Sequence, residues 1–99
     1  MQIEITGNHL EITDALRAHV DKRLSRINRR RNPPLAHMHA VLAVDKKRHL
    51  CDLMTRVGAD EFVAHGEDED MYSAIDRAAD KMERQLQTAK GRQQAQRGH

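Results

Sequence analysis

A chain of 99 residues with 17 Lys and Arg against 15 Asp and Glu, net charge +2, makes one small domain with one modest core and no separate catalytic domain. No run of residues approaches the roughly 20 apolar side chains that cross a bilayer, and the N-terminus lacks the basic-then-apolar pattern of a signal peptide. The single cysteine, Cys51, has no partner for an internal disulfide, in keeping with a reduced cytoplasmic setting.

Residues 1–7 alternate through Gln2, Ile3, Glu4, Ile5 and Thr6 and stop at Gly7, which predicts a strand with Ile3 and Ile5 inward. Thr13 is placed to cap a helix, with Asp14 favourable to its dipole. Leu16, Val20, Leu24 and Ile27 then recur at spacings of four, four and three, one face of that helix. Asn32-Pro33-Pro34 ends it, because proline drives the residue before it out of the helical region.

Residues 36–57 read as a hairpin. Met38, Ala40, Leu42 and Val44 share one face, and Cys51, Leu53, Thr55 and Val57 share the matching face of the next strand, with Lys46-Lys47-Arg48 at the turn. Gly58-Ala59-Asp60 makes a second tight turn into a strand with Phe62, Ala64 and Gly66 on one face. In that register Arg56 faces Glu61 and Asp52 faces His65 on the open side of the sheet, pairings that opposite charge favours. A last helix begins near the acids at 67–70, with Met71, Ile75, Ala78, Met82, Leu86 and Ala89 as its core face and Tyr72 at the edge of that stripe. The expected domain spans 1–90, and residues 91–99 form a polar, disordered tail. The order β-α-β-β-β-α predicts an α+β fold: a four-stranded sheet with two helices packed on one face and the other face wet. Its β-β-β-α end resembles double-stranded-RNA-binding domains, which read shape and backbone.

Charge is unevenly spread. Asp60, Glu61, Glu67, Asp68, Glu69 and Asp70 fall in a segment without Lys or Arg, so all 17 basic residues are set against the remaining 9 acids. Residues 22–31 carry Lys22, Arg23, Arg26, Arg29, Arg30 and Arg31 and no acid. Such segregation points to a polyanionic partner. Lys22, Arg26 and Arg29 stand at i, i+4 and i+7, as do Arg77, Lys81 and Arg84; at 100° per residue each trio occupies a wedge of roughly 60°. Each helix thus carries a basic ridge, and the second helix carries an acidic one, Asp76, Asp80 and Glu83, on its other flank. If the two helices share one face of the sheet, the basic ridges flank a groove or a broad patch that meets phosphates. With only Tyr72 and Phe62 as aromatics, and Phe62 assigned to the core, platforms for stacked bases are nearly absent.

Other chemistry finds little support. His37 and His39 lie two apart on one strand, pointing to the open face, but no Cys pair, HExxH motif or carboxylate cluster completes a metal site. Cys51 falls on an inward face, which suits a buried apolar role rather than a nucleophile. Thr13 and Ser73 have no His and acid at a suggestive spacing, and the glycines form no phosphate-cradling loop. The expectation is a binding protein without enzymatic activity, metal, cofactor, small-molecule substrate or membrane partner.

The opening stretch, with Ile3, Ile5-Thr6-Gly7, Leu10-Glu11-Ile12-Thr13 and Ala15-Leu16, followed by Val20, Lys22 and Leu24, resembles the ribosome hibernation-promoting factor family. The closing stretch Asp70-Met71-Tyr72-Ser73-Ala74-Ile75-Asp76, then Lys81, Gln85-Leu86 and Lys90, resembles its last helix, and the likeness spans residues 1–90. The resemblance implies a cytoplasmic bacterial protein, active in stress or stationary phase, that binds small-subunit ribosomal RNA near the decoding region. There it would block messenger and transfer RNA and favour stored, inactive ribosomes. The chain stops soon after the last helix, as in the short form, which acts with a separate small modulation factor. Lys22 and Lys81 fall at matching basic positions. Arg26, Arg77 and Arg84 join them by ridge spacing, Arg23, Arg29 and Arg30 by the basic run, and Lys90 by the closing motif, as the expected ribosomal-RNA-binding residues. Arg29-Arg30-Arg31 and Asn32-Pro33-Pro34 depart from the aromatic-containing helix end of the family. Two other readings stand beside this one: a general RNA- or DNA-binding domain, and a protein-interaction module that modulates a transcription factor through the open sheet face or segment 60–70.

Overall fold

The computed structural model describes residues 1–97, with side chains through Ala89. The elements are β1 (Gln2–Asn8), α1 (Asp14–Arg29), β2 (His37–Asp45), β3 (Arg48–Val57), β4 (Asp60–Asp68) and α2 (Met71–Arg97). The sheet order is β1-β2-β3-β4, with β1 parallel to β2 and the other pairs antiparallel. The α1 crossover allows the parallel pair, while the short turns dictate the antiparallel ones.

Local chemistry accounts for most boundaries. Thr13 Oγ1 accepts from Leu16 N at 3.2 Å and starts α1. The helix ends at Arg29, four residues before the first proline, and Asn28 Oδ1 accepts from Leu35 N at 2.6 Å, tying the proline loop back to the helix. That tie buries Leu35, a core residue without periodic neighbours to mark it. Lys46 takes a left-handed backbone (φ 58) in the β2–β3 turn, and Arg48 lies inside β3 rather than in the turn. Gly58 takes the same region (φ 62) between β3 and β4, where glycine has no Cβ to strain. At α2, Asp70 Oδ2 accepts from Ser73 N at 3.0 Å and from Ser73 Oγ at 3.1 Å, so the last of the 67–70 acids is the cap. The helical backbone continues to Arg97, beyond residue 90 where the apolar pattern stops.

The core lies between the sheet and the two helices. Leu16, Val20, Leu24 and Ile27 of α1, Met38, Ala40 and Leu42 of β2, Cys51 and Leu53 of β3, and Met71, Ile75, Ala78, Met82 and Leu86 of α2 are all buried. Ala74 and Ala79 join them, and Ala89 is half-buried. Ile3, Ile5 and Phe62 pack against this core and are themselves half-buried. Val44 keeps the alternation of β2 but is 42% exposed at the hairpin end. Burial pushes the Cys51 thiol up to about 12, with the Asp52 charge adding to it, which keeps the sulfur protonated and inert. The register across β3 and β4 pairs Asp52 with His65 and Arg56 with Glu61, as the charges predict.

One contact positions α2. A Cβ built on Gly66 of β4 would strike the Ala74 carbonyl oxygen and lie 2.5 Å from Ala78 N. Gly66, Ala74 and Ala78 are small because here the helix backbone rests on the strand. This closeness sets how far the side chains on that flank of α2 reach.

Candidate nucleic-acid interface

Both helices lie on one face of the sheet, and the acidic ridge of α2 faces α1. Arg23 reaches Asp80 (Nη2 to Oδ1, 2.5 Å) and Asp76 (Nε to Oδ1, 3.5 Å), and its side chain is only 20% exposed. Arg30 Nη1 lies 3.2 Å from Glu83 Oε2. His19 Nε2 lies 2.8 Å from Asp76 Oδ1 and sets its ring edge-on to Tyr72, with centroids 5.3 Å apart. The space between the helices is therefore a seam of opposite charges, not an open basic groove. Each of these partly exposed pairs contributes at most about 1 kcal/mol. Their larger consequence is electrostatic, since two guanidinium groups set against three carboxylates offset most of the negative charge lying between the two basic ridges.

The seam sorts the cations of the basic run. Arg23 and Arg30 were expected to meet RNA directly, but their positions, on α1 and at its C-cap, turn them toward α2 and occupy them with Asp80, Asp76 and Glu83. Lys22, Arg26 and Arg29 lie on the outer side of α1, exposed and without an ion pair among the described residues. Arg31 is half-buried, its Nε without a hydrogen-bond partner among the described residues.

The basic ridge of α2 runs along β4, the edge strand of the sheet. Arg77 Nε donates to Asp68 Oδ2 at 2.9 Å, and that bond holds the Asp68 carboxyl below the usual carboxylate range. Lys81 Nζ donates to the His65 carbonyl at 2.9 Å, and Gln85 Nε2 to the Val63 carbonyl at the same distance. Lys81 and Gln85, one turn apart, thus cover two outward carbonyls of a strand edge that would otherwise invite another strand. Lys81 is exposed, as its place in the ridge implies, but it is also tethered. An ammonium has three donors, so two remain for a phosphate. Arg84 is exposed and has no ion pair among the described residues. Lys90 lies outside the residues whose side chains are described.

The paired residues Asp76, Asp80, Glu83 and His19 were not among the expected site residues, nor was Gln85. The sequence holds a trace of the seam. His19 and Arg23 on α1 and Arg30 at its C-cap share one flank at i, i+4 and i+11, and the acids of α2 repeat at i, i+4 and i+7.

The open sheet face differs in character. His65 Nδ1 lies 2.6 Å from Asp52 and its Nε2 3.3 Å from Glu67, which in turn meets Arg48 at 3.2 Å. The Asp52 hydrogen bond, then that of Glu67, raises the His65 pKa, and His65 and Arg48 together lower that of Glu67. His37 meets Glu4 at 3.3 Å and His39 meets Thr6 at 2.9 Å. Cations on this face are matched with acids, whereas the outer helical surface keeps Lys22, Arg26, Arg29 and Arg84 unmatched among the described residues.

A model of the family described as sigma 54 modulation protein / S30EA ribosomal protein matches residues 3–94. The chain belongs to that family. Among its relatives, the ribosome hibernation promoting factor of Azotobacter vinelandii is 40% identical over 86 residues, spanning 87% of this chain and 79% of the relative. A ribosomal subunit interface protein from Coxiella burnetii superposes with a TM-score of 0.85 at 30% identity, over 92% of this chain and 99% of that one. The N-terminal domain of Thermus thermophilus protein Y superposes with a TM-score of 0.79 at 36% identity, over 87% and 96%. The family resemblance read from both ends of the sequence and the β-α-β-β-β-α order are borne out. The Azotobacter and Coxiella relatives are named for the ribosome and none of the three for a reaction, in keeping with a binding protein that is not an enzyme. No helix of the described residues is long and apolar enough to cross a membrane.

Proposed function

We propose that this chain is a cytoplasmic ribosome hibernation factor that lays its outer helical surface on small-subunit ribosomal RNA near the decoding region. Occupying that site excludes messenger and transfer RNA and favours stored, inactive ribosomes. The observation that carries the reading is the paired seam: with Asp76, Asp80 and Glu83 turned toward α1 and set against Arg23 and Arg30, most of the acidic charge of that α2 ridge is offset, and the cations Lys22, Arg26, Arg29 and Arg84, unmatched among the described residues, are left to meet phosphates. Arg77 and Lys81 join them once their partners on β4 share or release them, and Lys90 of the closing motif is a further expected contact. Arg23 and Arg30 act indirectly, by holding the acids. Binding of this kind needs neither cofactor nor metal. Residues 1–90 supply the ribosome-binding domain, and a second small ribosome-modulating protein is a further expected partner.

The test is co-sedimentation with vacant bacterial small subunits at low and physiological salt, comparing the wild type with Arg26→Glu/Arg84→Glu. Both substituted side chains are exposed and without ion pairs among the described residues, so the fold is expected to survive. Wild type should saturate near one copy per subunit and be competed by transfer RNA. The double variant should bind at least about tenfold more weakly, with a salt slope smaller by about one per lost phosphate contact. Full retention of binding at physiological salt would remove the ridges from the mechanism. Unsaturable binding would leave a general polyanion-binding domain, and a complex that survives ribonuclease would point to a protein partner.

A further inference from the structure

A cleft opens between the start of β4 and the C-terminal half of α2, lined by Phe62, Arg84, Gln85, Thr88 and Ala89, with a volume of about 350 Å³. It lies on the same flank of α2 as Lys81, one helical turn further along. We infer that this cleft holds one unstacked nucleotide of the bound RNA, its base against the Phe62 ring and its phosphate on Arg84. The inference deepens the RNA-binding reading and rests on it.

Each lining residue contributes chemistry suited to a nucleotide. Phe62 is half-buried, packs against the core and also lines the cleft. An aromatic ring offers a base a stacking surface, and stacking tolerates any base. Gln85 spends one N–H on the Val63 carbonyl at 2.9 Å. That bond fixes the amide and leaves its second N–H and its Oε1 for the edge of a base. Thr88 adds a hydroxyl that can donate or accept. Arg84, at the exposed rim, has no ion pair among the described residues and can take the phosphate, or stack on the base itself. A base inside a duplex cannot enter, so the occupant is single-stranded.

Two other hollows fit a nucleotide less well. One of about 330 Å³ on the open sheet face is lined by His37, His39, Met54 and Arg56, but its Arg56 is already matched with Glu61 at 3.4 Å. Another, near Arg30, Arg31 and Glu83, has only about 130 Å³. The Phe62 cleft alone among the three combines a ring, an unmatched cation and a fixed amide.

The chain has no tryptophan, so Phe62→Trp places a single fluorophore in the wall of the cleft. The probes are a ten-nucleotide single-stranded RNA and vacant small ribosomal subunits. Saturation with either should quench the indole emission of that variant. Phe62→Leu, which keeps an apolar side chain against the core, should weaken binding of the ten-nucleotide RNA by about five- to 150-fold, while Phe62→Tyr should restore it. Unchanged indole emission in Phe62→Trp protein that co-sediments normally, or wild-type affinity in Phe62→Leu, would overturn the cleft and leave the ribosome-binding reading intact. Failure of the wild type itself to bind either RNA or subunits would overturn both. The Leu and Tyr variants keep the comparison decisive even if the indole at this position unfolds the protein.

Discussion

Replacing Gly66 with alanine tests whether the close seat of α2 on β4 places the basic ridge. The new Cβ would run into the Ala74 carbonyl oxygen and lie 2.5 Å from Ala78 N and 3.1 Å from Ala78 Cα. All three atoms are backbone, so no rotamer change relieves the clash. Restoring ordinary contact at about 3.5 Å requires α2 to lift by about 1 Å. The Lys81 and Gln85 bonds to His65 and Val63, both 2.9 Å, then stretch toward about 3.9 Å and are lost. Overpacking costs about 1–3 kcal/mol. The two bonds, partly replaced by water at an exposed edge, add about 1 kcal/mol together. The sum of about 2–4 kcal/mol is a large share of the roughly 5–15 kcal/mol that holds a small domain together. Urea unfolding followed by circular dichroism should show a lower midpoint with little change in slope. Gly58→Ala is the control: its φ of 62 strains alanine, but nothing lies within 4 Å, so about 1–2 kcal/mol is expected from backbone strain alone. A Gly66→Ala protein within about 0.5 kcal/mol of wild type would refute the reasoning, because α2 could then move without cost.

The His65 network predicts a pH dependence. Its pKa is raised, by the Asp52 hydrogen bond and then by Glu67, so its stabilisation is complete below the unfolded imidazole value of about 6.5 and is lost as pH rises through the higher folded value. Wild type should therefore lose more stability than His65→Gln between about pH 6 and pH 8; parallel urea midpoints across that range would show the network to be idle. Cys51, with its thiol pushed up to about 12, should resist a thiol reagent at about pH 8 until urea unfolds the chain, and rapid labelling of native protein would contradict its burial. Thr13→Ala removes the acceptor for Leu16 N and should cost about 1 kcal/mol, read as a melting temperature lower by about 4–8 °C.

Much of the fold was legible because its signals are local. The spacing of Leu16, Val20, Leu24 and Ile27 carries the helical period, and the alternation of Met38, Ala40 and Leu42 carries that of a strand. A tight turn at Gly58-Ala59-Asp60 and complementary charges were enough to set Asp52 against His65 and Arg56 against Glu61, although Asp60 itself opens β4 opposite Val57. Leu35 was missed because its burial depends on a hydrogen bond to Asn28 across the proline loop, which no periodicity records.

By itself, the sequence determined the order of elements, which faces are apolar and that each helix carries a basic ridge, since all three follow from residue spacing along one element. Only the tertiary structure decided which cations remain available. Arg23 and Arg30 stand in the same run as Lys22, Arg26 and Arg29, yet they differ by the angle each makes with a helix more than fifty residues away in sequence. Lys81 likewise looks free within α2 and becomes tethered only because Gly66 lets the helix rest on the strand. Charge on a helix is a local property, but its partner is supplied by packing.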